Sequence, residues 1–167
     1  MKVIAVTGTP GAGKTTIARR LAKKLGFYCL DANKLISSNQ LAEGYDKKRK
    51  AKIVDTSKLN KSIIKEIKTI KNNRKILKYG GIIIDSHLSH FLPRKYINFC
   101  IVAKCNIKEL NKRLKKRKYS RSKIQENLQA EIFDICYNEA IRKKHKVIIV
   151  ETSKSFNISY IAKKLGC

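Results

Sequence analysis

Residues 8 to 15 read Gly8-Thr9-Pro10-Gly11-Ala12-Gly13-Lys14-Thr15, a complete G-x-x-x-x-G-K-T. It follows the apolar run Val3-Ile4-Ala5-Val6 directly and opens an amphipathic pattern that starts at Thr15. Strand, glycine-rich turn and helix in that order form a phosphate cradle. The glycines let successive backbone N–H groups turn inward on an anion, Lys14 reaches the β/γ-phosphates, and the Thr15 hydroxyl can ligate Mg²⁺. Binding of a nucleoside triphosphate, ATP with Mg²⁺, is the first expectation, and a buried sheet to carry the turn is the second.

The strands that follow agree with such a sheet. Segments 2–7, 27–30, 81–85, 96–103 and 146–151 read as strands, and 14–25, 56–79, 107–116, 122–144 and 156–165 as helices between them. Leu59, Ile63, Ile67, Ile70 and Leu77 recur at helical spacing, as do Ile124, Leu128, Ile132, Ile135 and Cys136. Gly26 and Gly80-Gly81 supply stops. An unbroken run such as Ile82-Ile83-Ile84 is buried on both sides, which predicts an α/β fold: a parallel five-stranded sheet with helices on both faces. Ligands of such sheets sit at the carboxyl ends of the strands. With 167 residues and no linker or repeat, the expectation is a single domain spanning 1–167.

Composition narrows the class. No apolar stretch approaches the ~20 residues of a membrane span, and the hydrophobic start runs into the phosphate loop rather than a cleavage site, so a cytoplasmic protein without membrane contact is expected. Cys29, Cys100, Cys105, Cys136 and Cys167 are odd in number and lack a C-x-x-C pair, which argues for reduced thiols over disulfides or zinc. The formal charge is +27. Thirteen basic residues stand between Lys47 and Lys78 against Asp55 and Glu66, and eight between Lys112 and Lys123 against none. One reading is a solvated lysine-rich surface. The other is a polyanionic partner, RNA rather than membrane because the basic stretches lack an apolar anchoring face.

The third strand ends in Asp85-Ser86-His87. An acid at the carboxyl end of a buried strand beside the phosphate loop is placed to hold Mg²⁺, the alternative being an Asp that caps the next turn. His87 is a candidate for orienting water or binding phosphate, or else a satisfied turn histidine. His90 and His145 carry no positional argument.

Taken together, the phosphate loop with Thr16, Glu43-Gly44-Tyr45-Asp46, Asp85-Ser86-His87 with Phe91-Leu92-Pro93, Arg113-Leu114, Arg117-Lys118-Tyr119 and Asn127-Leu128-Gln129-Ala130-Glu131-Ile132-Phe133 resemble the adenylate kinase isoenzyme six family over almost the whole chain. The resemblance implies a P-loop NTPase fold of nucleoside monophosphate kinase type. It also implies transfer of the ATP γ-phosphoryl to AMP or another monophosphate with accompanying ATPase activity, and a role in small-subunit ribosome maturation. Carried over by position, Gly11, Gly13, Lys14, Thr15 and Thr16 match ATP-phosphate contacts, 31–54 a monophosphate-binding segment, 116–126 a lid, and Arg117 the lid arginine. Lys14, Asp85, His87 and Arg117 are the catalytic candidates, Thr15 and Asp85 the metal candidates. Lys154, after the last strand, is a further nucleotide candidate or part of a capping turn.

The chain departs from the family at three places. Lys34, or basic residues near Lys47 to Arg49, stand in for an arginine that grips the acceptor phosphate; Lys47-Lys48-Arg49-Lys50 replaces an often acidic segment; and Lys118 stands where a glycine is usual. Lysine offers a point charge rather than a bidentate fork. The resemblance leaves two functions open: a monophosphate kinase, or an ATP-hydrolysing assembly factor contacting ribosomal RNA and a platform ribosomal protein of the S-eleven type.

Overall fold

The computed structural model describes residues 1–47, 51–73 and 79–167. Five strands form one sheet: β1 (Lys2–Thr7), β2 (Tyr28–Asp31), β5 (Gly81–Asp85), β6 (Phe99–Lys104) and β7 (Val147–Glu151). They lie in the order β2-β5-β1-β6-β7, every neighbouring pair parallel. Among the described residues seven helices accompany it, α1 (Lys14–Leu25), α2 (Ala32–Ser38), α3 (Thr56–Asn72), α4 (Ile107–Lys116), α5 (Arg121–Ile132), α6 (Ile135–Arg142) and α7 (Ile158–Lys164). A separate antiparallel pair joins β3 (Ala42–Asp46) to β4 (Ala51–Val54).

The period-two alternation of the strands divides the core. Val3, Ala5, Ile82, Ile84, Cys100 and Val102 face one side, where α3 lays down Leu59, Ile63, Ile67 and Ile70. Ile4, Val6, Ile83, Ile101 and Ala103 face the other, against Ile17 and Leu21 of α1, Leu110 and Leu114 of α4, and Ile161 of α7. This is the doubly covered parallel sheet that the isoleucine run predicts. Among the described residues no helix is long and apolar enough to cross a membrane. All five cysteines are free.

Four expectations change. The helix expected over 56–79 stops at Asn72, with Asn73 in an extended conformation; Leu77 lies outside the described residues. The strand expected from 96 begins at Phe99, because a 3₁₀ turn over Arg94–Tyr96 takes up the chain after Pro93. The helix expected over 122–144 is two helices, since Asp134 adopts left-handed φ 52°, ψ 35° while Lys104 pairs with its carboxylate. The apolar stripe assigned there is a core face only in part: Ile124, Leu128 and Cys136 pack against the core, but Ile132 is 58% and Ile135 41% exposed, and the fully buried residue of α5 is Glu131. Finally α2 and the β3–β4 pair were not expected at all. Their residues carry no long apolar period, and β3 is largely exposed.

Candidate phosphate-binding site

Close backbone approach shapes the cradle. Gly8 has φ 135°, and a Cβ there would stand 2.4 Å from the Ala103 carbonyl oxygen of β6. Gly13, at φ 93°, is the N-cap of α1, and its Cβ would meet the Thr152 side chain at 3.1 to 3.2 Å. Only glycine lets the loop sit this tightly on the sheet rim. The Thr152 hydroxyl donates to the Ala12 carbonyl at 2.7 Å, and the Arg113 guanidinium donates to the Thr152 carbonyl at 2.7 Å and to Glu109 at 2.9 Å. Arg113, of α4, thus braces the loop from behind. Its sequence motif alone did not assign it that part.

Lys14 Nζ folds over the loop and donates to the carbonyls of Gly8 at 2.8 Å and Thr9 at 3.0 Å. Burial lowers its pKa to about 8, helped by Arg117 and opposed by Cys136, Asp85 and Glu131. Asp85 is 7% exposed at the end of β5, in register with Val6 of β1 and Asp31 of β2. Burial raises its pKa, against the pull of the Thr15 hydroxyl bonded to its side chain and the charge of Lys14. The turn that follows is capped by Ser86, whose Oγ accepts from Leu88 N at 3.1 Å. The His87 ring is open to solvent on one side, yet the cleft wall, Lys14, His90 and Lys123 all push its pKa down, which keeps it neutral at pH 7.

These groups converge on one cavity of about 430 Å³. Gly11, Gly13, Lys14, Thr15, Thr16, Asp85, His87 and Arg117 all line it. Arg117 arrives as the C-cap of α4. Asn33, Tyr119, Lys123 and Asn127 line it as well and were not singled out as site residues. Lys123 Nζ sits 4.2 Å from the Tyr119 ring centroid. A neighbouring cavity of about 460 Å³ shares Asn33 and His87 with the first and adds Ile36, Ser37, Val54, Thr56 and Leu88. Lys154 is exposed and lines neither cavity, and neither does Lys34. Lys48 and Arg49 lie outside the described residues.

A hydroxyl and a carboxylate in contact at the rim of an anion cradle make a donor set of hard oxygens. Mg²⁺ suits it, since that ion takes one or two protein oxygens and completes its shell with water and phosphate. Among the described residues no cluster of three or more His, Cys, Asp or Glu forms a self-sufficient metal cage.

Comparison with known proteins agrees with this geometry. The model of the AAA domain family matches residues 4–134. A relative from Methanocaldococcus jannaschii is 39% identical over 150 residues, 90% of this chain and 76% of its own. The adenylate kinase isoenzyme 6 homolog of Caenorhabditis elegans is 32% identical over 148 residues, 89% of this chain and 77% of its own. Among solved structures, a deoxyadenosine kinase from M. mycoides with bound dATP superposes with TM-score 0.58 at 19% identity over the full length of both chains, a likeness of fold. Cradle, buried strand-end acid, sheet order and relatedness over nine-tenths of the chain lead to one conclusion: the chain belongs to the adenylate kinase isoenzyme 6 family, on a P-loop kinase fold.

Proposed function

We infer that the protein transfers the γ-phosphoryl of ATP to a nucleoside monophosphate, AMP or a close analogue, and hydrolyses ATP when water takes the acceptor's place. The convergence of Lys14, Thr15, Asp85, His87 and Arg117 on one cavity carries this reading. Lys14 and the loop amides bind the triphosphate, whose negative charge draws the lysine pKa back up. Thr15 and Asp85 would hold Mg²⁺, which when bound offsets charge on the β- and γ-oxygens. Arg117 neutralises charge on the migrating phosphoryl, and as the first residue after α4 it belongs to the 116–126 segment that serves as lid. The adjoining cavity, bounded by residues of the 31–54 segment, suits the acceptor, which puts Asn33 and His87 between the two reactants. A monophosphate's oxygens are ionised at neutral pH, so transfer needs no general base. Hydrolysis needs an oriented water, and a neutral His87 can accept its proton.

A second reading has its own support in the +27 charge and in the eight basic residues between Lys112 and Lys123, some of which line the cavity. In it the protein is an ATP-driven assembly factor in small-subunit maturation, contacting ribosomal RNA and a platform ribosomal protein, in the cytoplasm. A coupled assay with ATP and each monophosphate, run beside phosphate release with and without RNA and that protein, separates the two. Diphosphate formed from a monophosphate supports the kinase; turnover that appears only with the ribosomal components supports the assembly factor.

A further inference from the structure

Glu131 is the buried residue of α5, 5% exposed in a helix whose other residues are at least partly open. Burying a carboxylate is costly unless its oxygens are met by donors. Here both are met: Oε2 accepts from the Thr9 hydroxyl at 2.5 Å, and Oε1 from the Cys105 backbone N–H at 2.8 Å, with Lys104 Nζ 4.0 Å away. One carboxylate thereby ties together the phosphate loop, the end of β6 and α5. Thr9 is the loop residue whose carbonyl takes the Ala12 N–H at 3.0 Å and the Lys14 ammonium at 3.0 Å, so its hydroxyl anchors the turn that aims Lys14.

The other end of the connection lies along the helix. Lys123, Asn127 and Glu131 recur every four residues and share a face of α5. Lys123 and Asn127 line the phosphate cavity, joined by a bond from Asn127 Nδ2 to the Lys123 carbonyl at 2.6 Å. Just past Glu131 the helix breaks at left-handed Asp134, which Lys104 holds. The root of α5 is therefore pinned at Glu131 and again at the break, while Lys123 and Asn127 nearer its start line the cavity.

We propose that Glu131 is a positioning residue for the nucleotide: through Thr9 it sets the shape of the phosphate loop, and through α5 it sets the reach of Lys123 and Asn127. The proposal rests on the nucleotide-binding reading above. Cradle and lid then move as one unit, and loss of the Thr9–Glu131 bond loosens both.

The test is titration calorimetry of Mg·ATP with wild type, Thr9→Ser, Thr9→Val, Glu131→Ala and the double variant Thr9→Val/Glu131→Ala, with steady-state kinetics on each. Thr9→Ser keeps the hydroxyl and binds within about twofold of wild type, whereas Thr9→Val and Glu131→Ala weaken binding by about tenfold or more. The KM for ATP rises in these two while that for the monophosphate stays within about twofold, and the double variant is no worse than the poorer single one. A folded Thr9→Val protein that binds Mg·ATP as wild type does, or additive losses in the double variant, would overturn the proposal. Should Glu131→Ala not fold, the comparison of Thr9→Val with Thr9→Ser decides alone. No heat with wild type overturns the nucleotide reading itself, and this inference with it.

Discussion

Thr7 Oγ1 and His90 Nδ1 lie 2.6 Å apart in the buried floor beneath the Asp85-Ser86-His87 turn. His90 Nε2 stands 2.9 Å from the Glu139 carboxylate, which can only accept, so Nε2 carries a proton. The Thr7 hydroxyl donates to the His87 carbonyl at 3.1 Å. The end of β1 and helix α6 thus support the turn that presents Asp85 and His87, and His90, which carried no positional argument in the sequence, proves to be part of that floor.

His87 thus sits on a hydrogen-bonded turn and lines the cavity. Lys14→Ala and Asp85→Ala are expected to lower both transfer and hydrolysis by about 100-fold or more. His87→Ala is expected to reduce hydrolysis more than transfer, because only hydrolysis calls for an oriented water. Coupled diphosphate and phosphate-release assays on the same preparations check this, and equal loss of both activities would remove the water-orienting role.

Acid should destabilise the fold through two buried histidines. Burial lowers the pKa of His90, against its bond to Glu139, and of His145, whose Nε2 lies 2.8 Å from the His90 carbonyl. Both rings titrate below the unfolded value of ~6.5, so beneath that pH the unfolded chain binds more protons and stability falls, whereas above it their contribution is complete. Urea midpoints should hold from pH 7.5 to about 6.5 and drop from there to pH 5.5. A midpoint constant across that window contradicts the neutral, buried state of these rings.

Lys118, where the family resemblance leads one to expect glycine, has φ 56°. A lysine in the left-handed region is strained by roughly 1–2 kcal/mol, part of which glycine returns through its greater freedom when unfolded. Lys118→Gly should stabilise the protein by about 0.5–1 kcal/mol and raise Tm by roughly 1–4 °C. Scanning calorimetry decides it, and a lower Tm would mean that the lysine makes contacts worth more than its strain.

If the basic surface engages RNA, affinity depends steeply on salt. Each phosphate neutralised releases counterions, so raising salt from 50 to 200 mM should weaken binding by about tenfold or more. Fluorescence anisotropy with a labelled single strand measures the slope. A flat response leaves the lysines as a solvated surface.

Much of this molecule is readable along the chain, and the limits of that reading have physical causes. The cradle, its placement between a strand and a helix, the buried isoleucine strand and the acid at its end all depend on local chemistry: which residues can turn, cap or alternate. These the sequence by itself determined. The break at Asp134, the exposure of Ile132 and Ile135, the β3–β4 pair and the arrival of Asn33, Lys123 and Asn127 at the cavity wall were decided only by the tertiary structure. No helical period announces that a carboxylate rather than an isoleucine will be buried on α5. That outcome depends on donors 122 and 26 residues away, the Thr9 hydroxyl and the Cys105 amide, which become neighbours only when β1 and β6 pair side by side.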